Sequence, residues 1–156
     1  MGTVDDLVSL SDFTWERLRT RLAGLTDAEL RWLPVPADPD ISLEWRLNHI
    51  AALLTEDRNA RWLAQPPPSA PLPDGRGDAA PVLARLGASY ALWRTVLTSC
   101  TDESLARPLG PRAGFYARDS RRSFVLHVLD ELIHHSAEAA LLRDLYAHRP
   151  LCNDGA

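Results

Sequence analysis

Residues 123–148 read SFVLHVLDELIHHSAEAALLRDLYAH, and their apolar side chains return at steps of three and four. Val125, Val128, Leu132, Ala139, Leu142 and Tyr146 share one stripe, and His135 falls inside it. That period belongs to an amphipathic α-helix with one face against a core. Pro150 ends it, because the residue before a proline is pushed out of the helical region. The helix carries an anomaly: His127, Glu131 and His135 follow one another a turn apart, and Glu131 sits only about 40° from His135 around the axis. A carboxylate bordering a buried stripe costs several kcal/mol unless it is paired or bound to a cation.

A helix of this kind needs partners, and three more segments supply them. Residues 3–24 place Leu7, Leu10, Leu18, Leu22 and Leu25 on one stripe, with Thr3 positioned as the cap. Thr26-Asp27-Ala28-Glu29 is a capping box that opens a short connector running to Pro34. Residues 42–63 form a second long helix on Leu43, Leu47, Ile50 and Leu54. The following QPPPSAPLPDGRGD carries five prolines and two glycines and is a loop. A third long helix starts at Asp78, read as its cap, and buries Val82, Leu86, Tyr90, Trp93 and Leu97. Residues 101–120 hold a short helical turn and an irregular connection before the fourth long helix. With no convincing strand and no repeat, the expected fold is all-α, a four-helix bundle with long connections and short connector helices. All 156 residues form one domain in this reading.

Composition narrows the function. The net charge of −4 and the lack of a basic patch argue against nucleic acid. The longest apolar run is about five residues against the roughly 20 needed to span a bilayer, so no membrane role is expected. Acidic residues stand near the N-terminus where a secretory signal carries Lys or Arg, which points to the cytoplasm. Cys100 and Cys152 lack metal or redox spacing and are read as bystanders.

The residues that do not suit a core are therefore the candidate site. His49 lies among apolar neighbours on the second long helix, and Glu131 and His135 border the core face of the fourth. From a bundle's second and last helices, such a trio can hold a single ion, and side chains at i and i+4 reach the same atom. Two His and one carboxylate leave a position open, the ligand count of catalytic rather than structural zinc. Spacing alone also permits a hydrogen-bonded core histidine at 49 and an ordinary i,i+4 pair at 131 and 135. His127 and His134 project to other faces and are read as solvated or supporting. Trp45, Trp62 and Trp93 are candidates to wall an apolar pocket, though core packing is the commoner role for each.

The pairing of SLEWRLNHIAALLTEDRNARWL with SFVLHVLDELIHHSAEAALLRDLY resembles the DinB/YfiT-like superfamily, especially the actinobacterial branch related to mycothiol-dependent maleylpyruvate isomerases. Leu47, His49 and Ala51 match an L-x-H-L-A pattern. Leu126, His127, Glu131, His135, Ala139, Leu142 and Arg143 match LHxxEExxxHxxHAxxLR, with Asp130 for the first Glu and Glu138 where the motif has its last His. The resemblance implies a divalent ion on His49, Glu131 and His135, with zinc the default and nickel, iron or manganese compatible with the same ligands. It also implies a homodimer, and a thiol such as mycothiol as cosubstrate acting on a small-molecule electrophile. Trp45 and Arg143 are the candidates to contact that cosubstrate or an anionic group on it. The alternatives are a metal-assisted hydrolase, with Glu56 or Glu138 as general base, and a noncatalytic module pinned by its metal.

Overall fold

The computed structural model describes residues 2–150, so Cys152 lies outside the described residues. Seven α-helices follow one another: α1 (Thr3–Arg21), α2 (Asp27–Leu30), α3 (Leu43–Leu54), α4 (Asp57–Leu63), α5 (Ala79–Thr98), α6 (Asp102–Ala106) and α7 (Arg121–Ala147), with a 3-10 segment at Pro111–Tyr116. No strand forms among the described residues, where a single isolated bridge pairs Pro108 with Ser120.

Helices α1, α3, α5 and α7 make the bundle. Helix α3 packs on α5 and α7, and α1 packs on the same two, so α1 stands diagonal to α3 and α5 diagonal to α7. Connections that cross a diagonal need length. The two that do so carry α2 on one side and α6 with the 3-10 segment on the other. The expected stripes form the core: Leu43, Leu47, Ile50 and Leu54 of α3, Val82, Leu86, Tyr90, Trp93 and Leu97 of α5, and Val125, Val128, Leu132, Ala139 and Leu142 of α7 are buried, while Tyr146 at the end of the α7 stripe is only half-buried, against Trp32.

Four local expectations are corrected. Leu10 is 40% exposed, outside the α1 stripe that Leu7, Leu18 and Leu22 occupy. Thr3 is already helical. The first amides of α1 are met across space, with Thr3 and Val4 N–H donating to the Asp102 carboxylate at 3.0 and 2.8 Å. Asp78 makes no side-chain cap; instead the Ala79 N–H donates to Asp27 Oδ1 at 2.8 Å, while Asp78 pairs with Arg31. The helix expected over residues 42–63 breaks after Leu54. There the Thr55 hydroxyl bonds back to the Ala51 carbonyl, Glu56 is extended, and Asn59 Nδ2 donates to the freed Leu53 carbonyl at 2.8 Å. The Thr26 capping box and the Asp102–Ala106 turn form as expected.

Candidate metal centre

The chain through α3 and α4 runs antiparallel to α7, with Trp45 of α3 against His135 and Trp62 of α4 against Phe124. His49 is one turn beyond Trp45 on α3. Its imidazole stacks on the Trp45 indole with centroids 4.7 Å apart and planes 9° from parallel. It also meets His135 edge-on at 4.4 Å, and Trp45 and His135 lie 6.1 Å apart. His135 is 8% exposed, held by its place inside the α7 stripe, while the Glu131 side chain is 34% exposed. One ligand atom from each of His49, Glu131 and His135 lies within 4.8 Å of the others.

The orientation of His135 is set from behind. Its Nδ1 lies 2.7 Å from Glu138 Oε2, and Arg46 Nε lies 2.8 Å from that same oxygen. Burial acts against the charged form of Glu138, but the bond to His135 and the charge of Arg46 outweigh it and hold the carboxyl below its ordinary value. Glu138 is therefore an acceptor, so Nδ1 carries the proton that it donates, and in the neutral ring Nε2 is the nitrogen with the lone pair. Arg46 in turn lies over the Trp45 ring at 4.5 Å. The contacts close a circuit from Trp45 to His49, His135, Glu138, Arg46 and back to Trp45.

His135 Nε2 faces Glu131 Oε2 at 3.3 Å, an ion-pair contact when the ring is protonated and, when it is neutral, a meeting of two lone-pair atoms. In the neutral ring the pair suits a cation between them, since 3.3 Å is about the spacing of two ligands each some 2.1 Å from one tetrahedral ion. His49 takes a proton less readily than an ordinary histidine, because burial and then the neighbouring His135 oppose its charge more than Glu131 favours it. A neutral imidazole is the form that binds metal. The donor set suits a divalent ion of the zinc type. A second grouping, His134, His135 and Glu138, also lies within ligand distance, but using it would spend the carboxylate that orients His135.

The other sequence candidates are placed elsewhere. Of the three tryptophans only Trp45 adjoins the cluster; Trp93 is fully buried and donates to Ser11 Oγ, and Trp62 packs on Phe124. Glu56 is ion-paired with Arg58. Arg143, expected to meet an anionic group, instead grips Glu29 through two nitrogens at 3.1 and 2.9 Å and donates to the carbonyls of Arg21 and Ala23. It is a clamp on the α1–α2 connection. His134 is largely exposed beside Glu138. Sequence reading missed Arg46 and the orienting use of Glu138. The signal was present, since Arg46 precedes His49 by three residues and Glu138 follows His135 by three, the spacing that puts side chains on one face.

Comparison with known proteins agrees with this fold. A crystal structure of a conserved protein from Enterococcus faecalis superposes with a TM-score of 0.72 at 19% identity, covering 96% of this chain and 99% of that one. No curated protein matches the chain. The model of the DinB superfamily matches residues 11–139, a span that takes in α3, most of α7 and all three clustered residues. By that match the chain belongs to the DinB superfamily.

Proposed function

We propose that the protein is a divalent-metal-dependent enzyme that activates a low-molecular-weight thiol, of the mycothiol kind, for S-transfer to a small electrophile or its isomerisation. The observation that carries this reading is the convergence of His49, Glu131 and His135 within ligand distance of one another, with Glu131 partly exposed. These three residues would hold the ion, and their number leaves a coordination position for an exogenous atom. A bound zinc-type ion supplies deprotonation of a coordinated thiol, and the thiolate is the reactive form of sulfur. Glu138 keeps the His135 proton on Nδ1, so Nε2 stays turned to the centre. The flat Trp45 indole fixes the plane of His49 and walls that side against water.

The hydrolase alternative needs a carboxylate free to take a proton from water. Glu138 is committed to His135 and Arg46, and Glu56 to Arg58. A thiol is far more acidic than water to begin with and depends less on such a base, which favours it. The test is elemental analysis of purified protein beside His49→Ala, followed by mass spectrometry of thioethers formed from mycothiol and a panel of electrophiles. One divalent ion per chain, lost in the variant together with thioether formation, supports the proposal. Thioether formation that survives chelation refutes it, and so does stoichiometric metal with no thiol turnover.

A further inference from the structure

The row that opens with His127 continues away from the centre into a cavity of about 240 Å³ between α4, the connection before α7, and the first turns of α7. Its walls include Arg58, Trp62, Leu109, Tyr116, Phe124 and His127. Three of these are aromatic and none lies parallel to its neighbour: Trp62 is tilted 59° to Phe124 at 4.9 Å and 46° to Tyr116 at 6.4 Å. The Arg58 guanidinium lies over both Trp62 and Phe124, at 5.4 and 5.8 Å, and so fixes the two rings.

The rim is built with equal care. The connection is pinned at its neck by Leu109 N–H to the Asp119 carbonyl and Gly110 N–H to the Ala117 carbonyl, at 2.9 and 3.0 Å. Gly114, at φ 58° and ψ −117°, turns the chain in a conformation that a side chain would strain. Beyond it Phe115 and Tyr116 meet edge to face at 5.3 Å, with Phe115 94% exposed. Packing within the bundle does not account for an aromatic pair left in water beside an aromatic-walled hollow.

We propose that this cavity is the acceptor subsite of the same centre and takes a small, flat, uncharged aromatic ring whose reactive carbon extends toward Glu131. The inference rests on the thiol reading above. Its volume admits one substituted ring rather than a drug-sized ligand. Tilted rings grip a flat guest by edge and face, and Arg58, whose Nε is paired with Glu56, keeps other guanidinium N–H donors that suit a nitro or carbonyl substituent. His127 precedes Glu131 by one turn, a rise of about 6 Å, which a substituted benzyl group spans. With a benzylic chloride the sulfur–carbon bond forms as the carbon–chlorine bond breaks. Chloride leaves with the electron pair, and the thiol proton passes to solvent.

The first test is binding, which needs neither metal nor thiol. The whole protein is titrated with 4-nitrobenzyl alcohol, an unreactive flat probe, by calorimetry and by the indole N–H resonances, with Trp62 assigned through Trp62→Phe. The expected result is saturable binding that shifts the Trp62 resonance and weakens about five- to tenfold in Tyr116→Ala, a rim variant that leaves the core intact. No saturable binding, or binding with Trp62 unmoved, overturns the proposal. Turnover then links the cavity to the centre. With mycothiol present, Tyr116→Ala is expected to lower kcat/KM for 4-nitrobenzyl chloride by a similar factor and to leave alkylation by iodoacetamide, which has no ring, unchanged. Equal loss with both electrophiles overturns the assignment as an acceptor subsite. If the alcohol binds at Trp62 and no electrophile reacts, the thiol reading fails and the cavity no longer serves as its acceptor subsite, which the binding data separate from failure of the cavity itself.

Discussion

His135 and Glu138 stand three residues apart on α7 with Nδ1 and Oε2 separated by 2.7 Å, and this contact decides which nitrogen of His135 is free to bind. A residue that acts by orienting a ligand leaves a particular trace. Glu138→Ala is expected to weaken zinc binding about 10- to 100-fold without unfolding the bundle, as measured by competition with a chromogenic chelator. Glu138→Gln, which keeps an acceptor for Nδ1–H, should recover part of that loss. Equal affinity in wild type and Glu138→Ala would show that the contact orients nothing.

The environment of His49 sets how far acid must go to empty the centre. Burial foremost, and then His135, hold its pKa below the ordinary histidine value, so at His49 protons compete with metal only below that range. Metal content after dialysis is expected to stay full as pH falls through about 6.5 and to drop beneath it. Trp45→Ala uncovers His49 and lets water reach its imidazole. The same loss should then begin at higher pH, and an unmoved profile would count against the shielding role of the indole.

Long-range satisfaction of helix ends explains where the sequence was and was not legible. The core stripes of α3, α5 and α7 could be read because period and burial coincide, and His49, Glu131 and His135 stood out because they interrupt that pattern. The caps were misread for a physical reason. An N-terminal amide needs only an acceptor nearby, and the acceptors for α1 and α5 come from Asp102 and Asp27, 98 to 99 and 52 residues away. The break after Leu54 was hidden because Asn59, which compensates the freed carbonyl, lies within an otherwise regular apolar repeat. Arg143 looked available for a ligand because nothing local announces that Glu29 and two carbonyls await it.

Those distant caps are themselves testable. Asp27→Ala and Asp102→Ala should each cost about 1 kcal/mol in urea denaturation, the usual worth of a helix cap. Asp78→Ala, at the position local sequence rules favour, removes only an exposed ion pair with Arg31 and should cost a few tenths of that. If Asp78→Ala proves the most damaging of the three, the trans caps are not what hold these helix starts.

The clamp between Glu29 and Arg143 predicts an acid-dependent stability. Burial acts against the Glu29 charge, but hydrogen bonds from the Thr26 backbone and from Arg143 outweigh it, so its pKa is lowered in the folded protein. A depressed carboxyl contributes stability that is fully present above its unfolded value, about 4.3, and is lost as pH falls through the lower folded value. Wild type should therefore lose stability in that acid window more steeply than Glu29→Gln, and the two curves should run parallel from about pH 5 to 7. Arg143→Ala takes the cation away from Glu29, which is 8% exposed in the wild type, and strips the Arg21 and Ala23 carbonyls of a donor. Its cost at neutral pH is expected to be about 3 kcal/mol. Because the clamp acts on the α1–α2 connection, metal content of the variant at low temperature should match wild type; a loss of metal greater than the loss of fold would place Arg143 at the centre after all.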